Sequence, residues 1–145
     1  MTAQPSKRAV AEKAGRRGEA IAAFLLQLKG YVIVGRRVKN VRGEIDLIAR
    51  RGKILAFVEV KMRQKITDPA TILTPRQMQR ITNGATGWAA TRAWTGACRW
   101  RYDFVLVTPW RWPVHIRDAW RPLNDPTLET GAKGGNVRLG RSRVT

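Results

Sequence analysis

The chain has 145 residues and a hydrophobic content of 43%, which suit one folded domain and exclude wholesale disorder. No apolar stretch approaches the roughly 18 residues needed to span a bilayer, which excludes an integral membrane protein. Lys and Arg total 28 against 10 acids, a net charge of +18. An excess of this size predicts binding to a polyanion, of which nucleic acid is the usual one.

Cysteine usage and the first residues bear on the compartment. Cys98 is the only cysteine, which excludes a disulfide framework and a cysteine-based zinc site and favours a reducing, cytoplasmic location. Residues 1–20 carry cations but no apolar run, so we expect no secretory signal. A membrane surface is the competing polyanion, but no basic amphipathic helix with a wide apolar face supports it. We therefore expect a nucleic-acid partner and no membrane.

Composition divides the chain into three parts. Residues 1–15 are basic, which predicts a flexible N-terminal arm. Residues 123–145 are polar and glycine-rich, which predicts a disordered tail. The segment 16–122 retains most of the positive charge and of the apolar residues, and we expect it to form the folded domain.

The first half of this domain predicts one helix and three strands. Apolar residues at helical spacing predict a helix over Arg16–Lys29, which ends at Gly30. β-Branched residues predict strands over Tyr31–Arg37, Glu44–Arg50 and Ile54–Lys61. The helical stripe consists of Ile21, Phe24, Leu25 and Leu28.

The second half predicts a loop, a helix and further strands. After a loop over 62–73, Thr74 is a good helix N-cap, and Gln77 completes a capping box with it. A fourth strand is predicted over Arg101–Thr108 and a short fifth over Val114–Arg117. This α-β-β-β-α-β order predicts an α/β fold, a mixed central sheet flanked by helices.

Two of the few acids lie inside hydrophobic strands, Asp46 in the second and Glu59 in the third, with Lys61 two residues beyond Glu59. A turn of two residues at Arg51-Gly52 would put Asp46 diagonal to Glu59, and one of four residues would put them directly opposite. Either register places both carboxylates and Lys61 on one face, with the carboxylates about 5–8 Å apart. A turn of three residues would send them to opposite faces.

Two carboxylates this close repel each other unless a cation lies between them or one is protonated. Mg²⁺ or Mn²⁺ fits, because these hard cations take oxygen ligands, here Asp46, Glu59 and the backbone carbonyl of Val60. Such a cation can activate water and neutralise charge on a phosphodiester, and Lys61 would orient the attacking group or stabilise the developing charge. The residues predict a metal-dependent phosphodiesterase with catalytic Asp46, Glu59 and Lys61.

The segments GEIDLIA (43–49) and FVEVK (57–61), with further similar positions between 15 and 108, resemble the YraN-like uncharacterised protein family of restriction-endonuclease-like proteins, which is related to archaeal-type Holliday junction resolvases. The resemblance implies the αβββαβ core, metal ligands at Asp46 and Glu59, the activating Lys61 and a further ligand at Glu19. It also implies a homodimer acting on branched DNA. Residues 64–73 lack the family's usual Phe-Gly loop, and the segment 88–112 is unusually rich in Trp.

Several other side chains have two interpretations. Glu44 fits a solvated neighbour of the site better than a ligand, and Gln77 fits the helix cap better than an active-site amide. His115 is the only histidine and fits a structural role. About two of three Trp residues should be at least half buried, and Trp110-Arg111-Trp112 is the best candidate for an exposed pair around a cation.

Basic residues cluster in the two loops that flank the strand of Asp46 and predict phosphate contacts without sequence selectivity. The leading hypothesis is a metal-dependent DNA endonuclease. The alternatives are a non-catalytic DNA- or RNA-binding module that retains the fold, and an accessory subunit that docks a protein through its Trp-rich segment. The predicted nucleic-acid-binding residues are Arg36, Arg37, Lys39, Arg42, Arg50, Arg51 and Lys53.

Overall fold

The computed structural model describes residues 3–122 and contains three α-helices, one 3₁₀ helix and five strands within that range. The predicted tail over 123–145 lies outside the described residues. In chain order the elements are α1 Lys7–Leu28, β1 Val32–Asn40, β2 Gly43–Arg51, β3 Ile54–Met62, α2 Pro69–Ile72, α3 Pro75–Ala89, a 3₁₀ helix Ala93–Ala97, β4 Arg99–Val107 and β5 Val114–Trp120.

All five strands form one sheet in sequence order. Adjacent strands are antiparallel except β3 and β4, which are parallel and are joined through α3. A parallel pair needs such a crossover because the chain must return to the starting end of the sheet. The predicted α/β fold, with a mixed sheet and an αβββαβ core, is confirmed, and β5 extends it at the edge.

The sheet is covered on both faces. Buried Leu25 and Leu26 of α1 pack with Leu47, Val58 and other apolar residues on one face. On the opposite face α3 packs with Ile48, Phe57 and Phe104. Because β2, β3 and β4 are buried on both faces, their sequences are nearly continuous apolar runs, and a charged residue within them needs a specific partner.

The first helix begins nine residues before its predicted start. Ser6 caps it by accepting a hydrogen bond from the Ala9 N–H, so the segment 7–15, predicted as part of a flexible arm, is helical. These two turns are almost wholly exposed. They have no buried stripe, and periodicity therefore could not reveal them. Gly30 ends the helix as predicted, with a positive φ of 87°.

Two smaller predictions of secondary structure also differ from the structure. The predicted loop over 62–73 contains α2, a single turn capped by the Asp68 side chain. The fifth strand continues to Trp120, three residues beyond its predicted end. The first difference is a helix of a single turn, which is too short to show apolar periodicity. The second concerns an element end, where local signals are weakest.

The predicted capping box of α3 is confirmed. The Gln77 N–H donates to Thr74 Oγ1, and the Thr74 N–H donates to Gln77 Oε1. We expect Thr74→Ala to lower the free energy of unfolding by about 1 kcal/mol, because a backbone donor at the start of the helix loses its acceptor. Urea denaturation would measure the change.

Thr86→Ala is the matched control for the cap, because Thr86 is exposed on the same helix and alanine has the higher helix propensity. We expect this variant to be as stable as the wild type or slightly more stable. Equal losses in both variants would show that the box does not stabilise α3.

Candidate functional site

The turn between β2 and β3 fixes the geometry of the two acids. It contains Gly52 and Lys53, and the strands pair from Arg51 with Ile54 to Leu47 with Val58. One further step in this register sets Asp46 opposite Glu59. The turn has two residues, but it lies one residue later than the Arg51-Gly52 turn considered from the sequence. The carboxylates are therefore directly opposite, which is the register that a turn of four residues would also give. The predicted sharing of one face is confirmed, whereas the catalytic and metal roles stay predictions.

The backbone pairing of β2 with β3 gives way to a side-chain contact at this point. The Val60 N–H donates to Asp46 Oδ2 over 2.8 Å. Within a strand the N–H and C=O of one residue point to the same side, so the Val60 carbonyl is also directed toward β2. Val60 therefore presents a carbonyl oxygen beside the two carboxylates, in the position that the sequence predicted for a ligand.

The negative charge of Glu59 affects the protonation of Asp46. Burial, and then the negative charge of Glu59, raise the pKa of Asp46 to about 7 from an ordinary value of 3.8. Two opposed carboxylates repel each other when both are charged, which favours the protonated form of Asp46. Lys61 Nζ lies 2.9 Å from Glu59 Oε1, so the cation compensates Glu59 more directly than Asp46. In the metal-free protein Asp46 therefore takes up a proton more readily than an ordinary aspartate does.

A cleft of about 500 Å³ opens over these side chains. Glu19 of α1 lines it together with Asp46, Glu59 and Lys61. The Glu19 carboxylate accepts a 2.5 Å hydrogen bond from Arg37 Nε, and no three acidic, His or Cys side chains within residues 3–122 converge as a metal site. The structure brings Glu19 to the cleft but pairs it with Arg37 instead of placing it with the other two acids.

Two glycines let α3 approach the site. A Cβ on Gly43 would lie 1.8 Å from the Arg80 carbonyl oxygen, and one on Gly84 would lie 3.1 Å from the Glu44 nitrogen. Asn40 closes this junction: its Nδ2 donates to the Gly84 carbonyl. Gly84 therefore sets the distance between α3 and the sheet.

The close approach of α3 adds residues to the cleft that the sequence reading did not assign. Arg80 and Gln77 of α3 line it, as does Arg63 after β3. Arg80 lies one helical turn beyond Gln77, and this spacing was the signal that could have identified it. Glu44 is exposed and pairs with Lys39 and Arg80, as expected for a solvated neighbour.

The predicted basic residues separate into two groups at opposite ends of β2. The group from Arg36 to Arg42 lies at the cleft end, where β1 turns into β2. Arg51 and its neighbours lie at the other end, five residues or about 17 Å from Asp46. There Arg51 contacts the Tyr31 ring and Arg50 the Trp94 ring. Arg50 and Arg51 therefore have structural contacts of their own, and the phosphate contacts predicted for the basic residues stay a prediction.

The coupled pair predicts a pH dependence of stability. Because the pKa of Asp46 is higher in the folded protein than in the unfolded chain, the free energy of unfolding falls as the pH rises from about 4 to about 7. Asp46→Asn removes this dependence while keeping an acceptor for Val60. From the lower to the upper limit, we expect the stability of the metal-free variant relative to the wild type to rise by roughly 3–4 kcal/mol.

Urea denaturation in a chelating buffer at both ends of this range measures the difference. Parallel stability curves for the two proteins would contradict the coupling of Asp46 to Glu59.

A second polar cluster lies under the far end of α1. Asp103 is fully buried and accepts two hydrogen bonds from Arg101. The Lys29 ammonium lies 3.0 Å from His115 Nδ1. An ammonium only donates, so His115 Nδ1 accepts, and Nε2 carries the hydrogen that it donates to Asp103 Oδ2 over 2.8 Å. The structural role predicted for His115 is confirmed, and Asp103 pairs with Arg101 in the same buried cluster.

The tryptophans separate as expected. Trp88, Trp100 and Trp120 are mostly or fully buried, and Trp94 is 40% exposed, so four of the six are at least half buried. Trp110 and Trp112 are the exposed pair that the sequence predicted around Arg111.

No helix in the described part of the chain is long and apolar enough to cross a membrane.

Comparison with known proteins identifies the family. Residues 18–107 match the model of an uncharacterised protein family, UPF0102. A UPF0102 protein of Paramagnetospirillum magneticum is 46% identical over 127 residues, 83% of this chain and 98% of that protein. A UPF0102 protein of Mesorhizobium japonicum is 44% identical over 125 residues, 86% of this chain and its own full length. The resemblance to the YraN-like family is thereby confirmed, and the chain belongs to the uncharacterised protein family UPF0102.

Proposed function

We propose that this protein is a metal-dependent endonuclease that hydrolyses phosphodiester bonds in nucleic acid, with DNA as the first substrate to test. The observation that carries the proposal is the placement of Asp46, Glu59 and Lys61. Two opposed, mostly buried carboxylates and a lysine lie in a cleft whose rim carries Arg63 and Arg80. A carboxylate pair of this kind is destabilising in itself, which supports retention for chemistry rather than for folding.

The residues in the cleft fit Mg²⁺ or Mn²⁺. Asp46 and Glu59 supply carboxylate oxygens and Val60 a carbonyl oxygen, all hard ligands, and a cation is favoured between two opposed carboxylates because it removes their repulsion. Mg²⁺ usually binds through one or two carboxylates and keeps several waters, so a third acid is not needed. When bound, the cation would polarise the phosphodiester and lower the pKa of a water.

The protein's own side chains have separate tasks. Lys61 forms an ion pair with Glu59 and has further donors for a phosphate oxygen on which negative charge develops. Arg80 and Arg63 bind the flanking phosphates, which attracts the polyanion to a cleft with an acidic floor. The Glu19 carboxylate accepts a hydrogen bond from Arg37. It thereby holds this cation at the rim of the cleft, beside the proposed path of the nucleic acid.

A cleavage assay tests the proposal. Flap, four-way-junction, single-stranded and duplex DNA, with RNA of the same forms, would be incubated with Mg²⁺, Mn²⁺ or a chelator. We expect metal-dependent cutting by the wild type and none by Asp46→Asn, with binding retained by the variant. Arg99→Ala is the control, because Arg99 is exposed at the start of β4, where it pairs with Ile54 at the far end of the sheet, and it should leave the cleavage rate unchanged.

Other outcomes would reject the proposal. Tight binding without cutting in either metal would favour the non-catalytic binding module, and Asp46→Asn should then bind more tightly because a negative charge leaves the phosphate path. Cutting that persists in Asp46→Asn would place the activity elsewhere or in a contaminant.

A further inference from the structure

Two exposed tryptophans project from the loop between β4 and β5. Trp110 is fully exposed and Trp112 is 69% exposed, with Arg111 between them. Large aromatic side chains are normally buried in monomeric proteins because their apolar area is costly in water. The other tryptophans of this chain pack against neighbouring rings or lie in the core. This pair therefore has no structural task that its surroundings reveal.

The backbone of the loop that carries the two tryptophans is conformationally restricted. Trp110 has a φ of 62°, in the left-handed region that side chains of this size rarely adopt. Pro109 and Pro113 bracket the loop; the first fixes its own φ, and the second restricts Trp112 to extended conformations. Strained backbone of this kind is found preferentially where a ligand is bound. A backbone that is already restricted loses less entropy when the loop binds a ligand.

Strand topology places this loop at the cleft end of the sheet. β3 and β4 run parallel, with Lys61 paired to Leu106 and Met62 to Val107. The Arg63 N–H donates to the Val107 carbonyl, so the loops that follow the two strands start side by side. Trp110 follows Leu106 by four positions, and Leu106 is the strand partner of Lys61. The Cα atoms of Trp110 and Lys61 are therefore at most roughly 20 Å apart. One strand of nucleic acid can reach both within about six nucleotides.

We propose that Trp110 and Trp112 form a binding subsite for unpaired nucleobases, with Arg111 on the adjoining phosphate. The inference rests on the proposed nucleic-acid substrate and names the part of it that this loop recognises: a single-stranded segment next to the bond in the cleft. Exposed aromatic rings with an interleaved cation stack on bases of any sequence. The neighbouring charges, Arg63 and Lys65, suit a phosphate backbone.

A membrane surface is the other partner that Trp and cations suit. Nucleic acid is favoured because the loop shares its end of the sheet with the cleft of Asp46, Glu59 and Lys61, whose proposed chemistry acts on a phosphodiester and has no use at a membrane surface. Stacking and membrane insertion also differ in what they need from the side chain. Stacking requires a π face, whereas insertion requires only apolar area.

Binding measured in a chelating buffer tests the subsite separately from cleavage. Fluorescence anisotropy would compare a short single-stranded oligonucleotide, the same strand with abasic positions and a blunt duplex of equal length. For Trp110→Leu/Trp112→Leu we expect single-strand affinity to fall about tenfold or more, and duplex affinity to stay within about twofold. The abasic strand should bind the wild type and the variant equally. Trp110→Phe/Trp112→Phe should restore most of the loss.

Trp94→Leu is the matched control, because Trp94 is partly exposed but packs on Trp88 beside Arg50, at the far end of the sheet. It should leave all three affinities unchanged. Two results for the Trp110/Trp112 double variant would overturn the proposal: an unchanged single-strand affinity, or a loss of affinity that is equal for single strand and duplex. Vesicles containing phosphatidylserine test the membrane alternative. If the wild type binds them, the double variant does not, and single-strand affinity is unchanged, the pair would be assigned to a membrane instead.

The two proposals can fail separately. A selective loss of single-strand binding in a protein that never cuts would leave the base subsite standing and remove the endonuclease. Metal-dependent cutting with unchanged single-strand affinity would retain the endonuclease and remove the subsite.

Discussion

Asp103→Ala is expected to lower the free energy of unfolding by about 3–5 kcal/mol, the largest effect on stability among the substitutions considered. Removing one partner of a buried ion pair leaves the other charge uncompensated in a medium of low dielectric. Here the partner is Arg101, whose side chain is 10% exposed. His115 and the Asp118 N–H also lose their acceptor. Urea denaturation followed by tryptophan fluorescence would measure the loss.

Two variants make this experiment decisive. Asp103→Asn keeps the shape and one acceptor and should lose less, which gives a measurable value if the alanine variant fails to fold. Asp118→Asn is the control, because its ion pair with Arg121 is partly exposed and such pairs contribute at most about 1 kcal/mol. A loss in Asp103→Ala no larger than that in Asp118→Asn would show that the cluster does not stabilise the fold.

The same cluster predicts how stability responds to acid. Burial alone would raise the pKa of Asp103, but hydrogen bonds from His115 and Arg101 outweigh it and hold the pKa below its usual range. The contribution of Asp103 is therefore present above about pH 4 and lost as the pH falls through the folded-state pKa. Asp46 acts in the opposite direction, so the metal-free protein should be most stable between the two transitions.

Lys61→Ala is expected to lower the cleavage rate by roughly 10²–10³-fold while changing the affinity for DNA only slightly. Removing a group directed at developing charge in a water-poor site has an effect of this size, whereas one cation among many contributes modestly to binding. Single-turnover cleavage with Mg²⁺ would give the rate, and anisotropy in a chelating buffer the affinity.

Lys61→Arg tests the cause of the lost rate. A guanidinium retains the charge beside Glu59 but differs from an ammonium in shape and hydration, so we expect partial recovery. A parallel loss of binding and cleavage in Lys61→Ala would mean that Lys61 holds the substrate in the ground state and has no special task in the reaction.

Local sequence signals were sufficient to predict a feature when all the residues that form it lie within one short segment. The capping box of α3 needed only Thr74, Pro75 and Gln77. The shared face of Asp46 and Glu59 followed from strand alternation, provided that the turn had an even number of residues. The first turns of α1 show the limit of such signals, because a solvent-exposed helix has no apolar stripe to detect.

Long-range contacts could not be obtained in this way. Glu19 and Arg37 are 18 residues apart and meet only because α1 crosses the sheet beside β1. The partners of Asp103 come from β4, β5 and the end of α1, and no spacing along the chain relates them. Arg80 entered the cleft because Gly43 and Gly84 allow backbone contact between α3 and the sheet.

The sequence by itself determined the family, the order of the elements, the positive charge and the pairing of Asp46 with Glu59 across two strands. These properties are local or compositional, and alternation and charge are set residue by residue. Only the tertiary structure decided which cations reach the cleft, which partner Glu19 takes and how near the exposed tryptophans lie to Lys61. Each of these depends on how separate elements pack, because side chains distant in sequence become neighbours only when the sheet and its helices assemble.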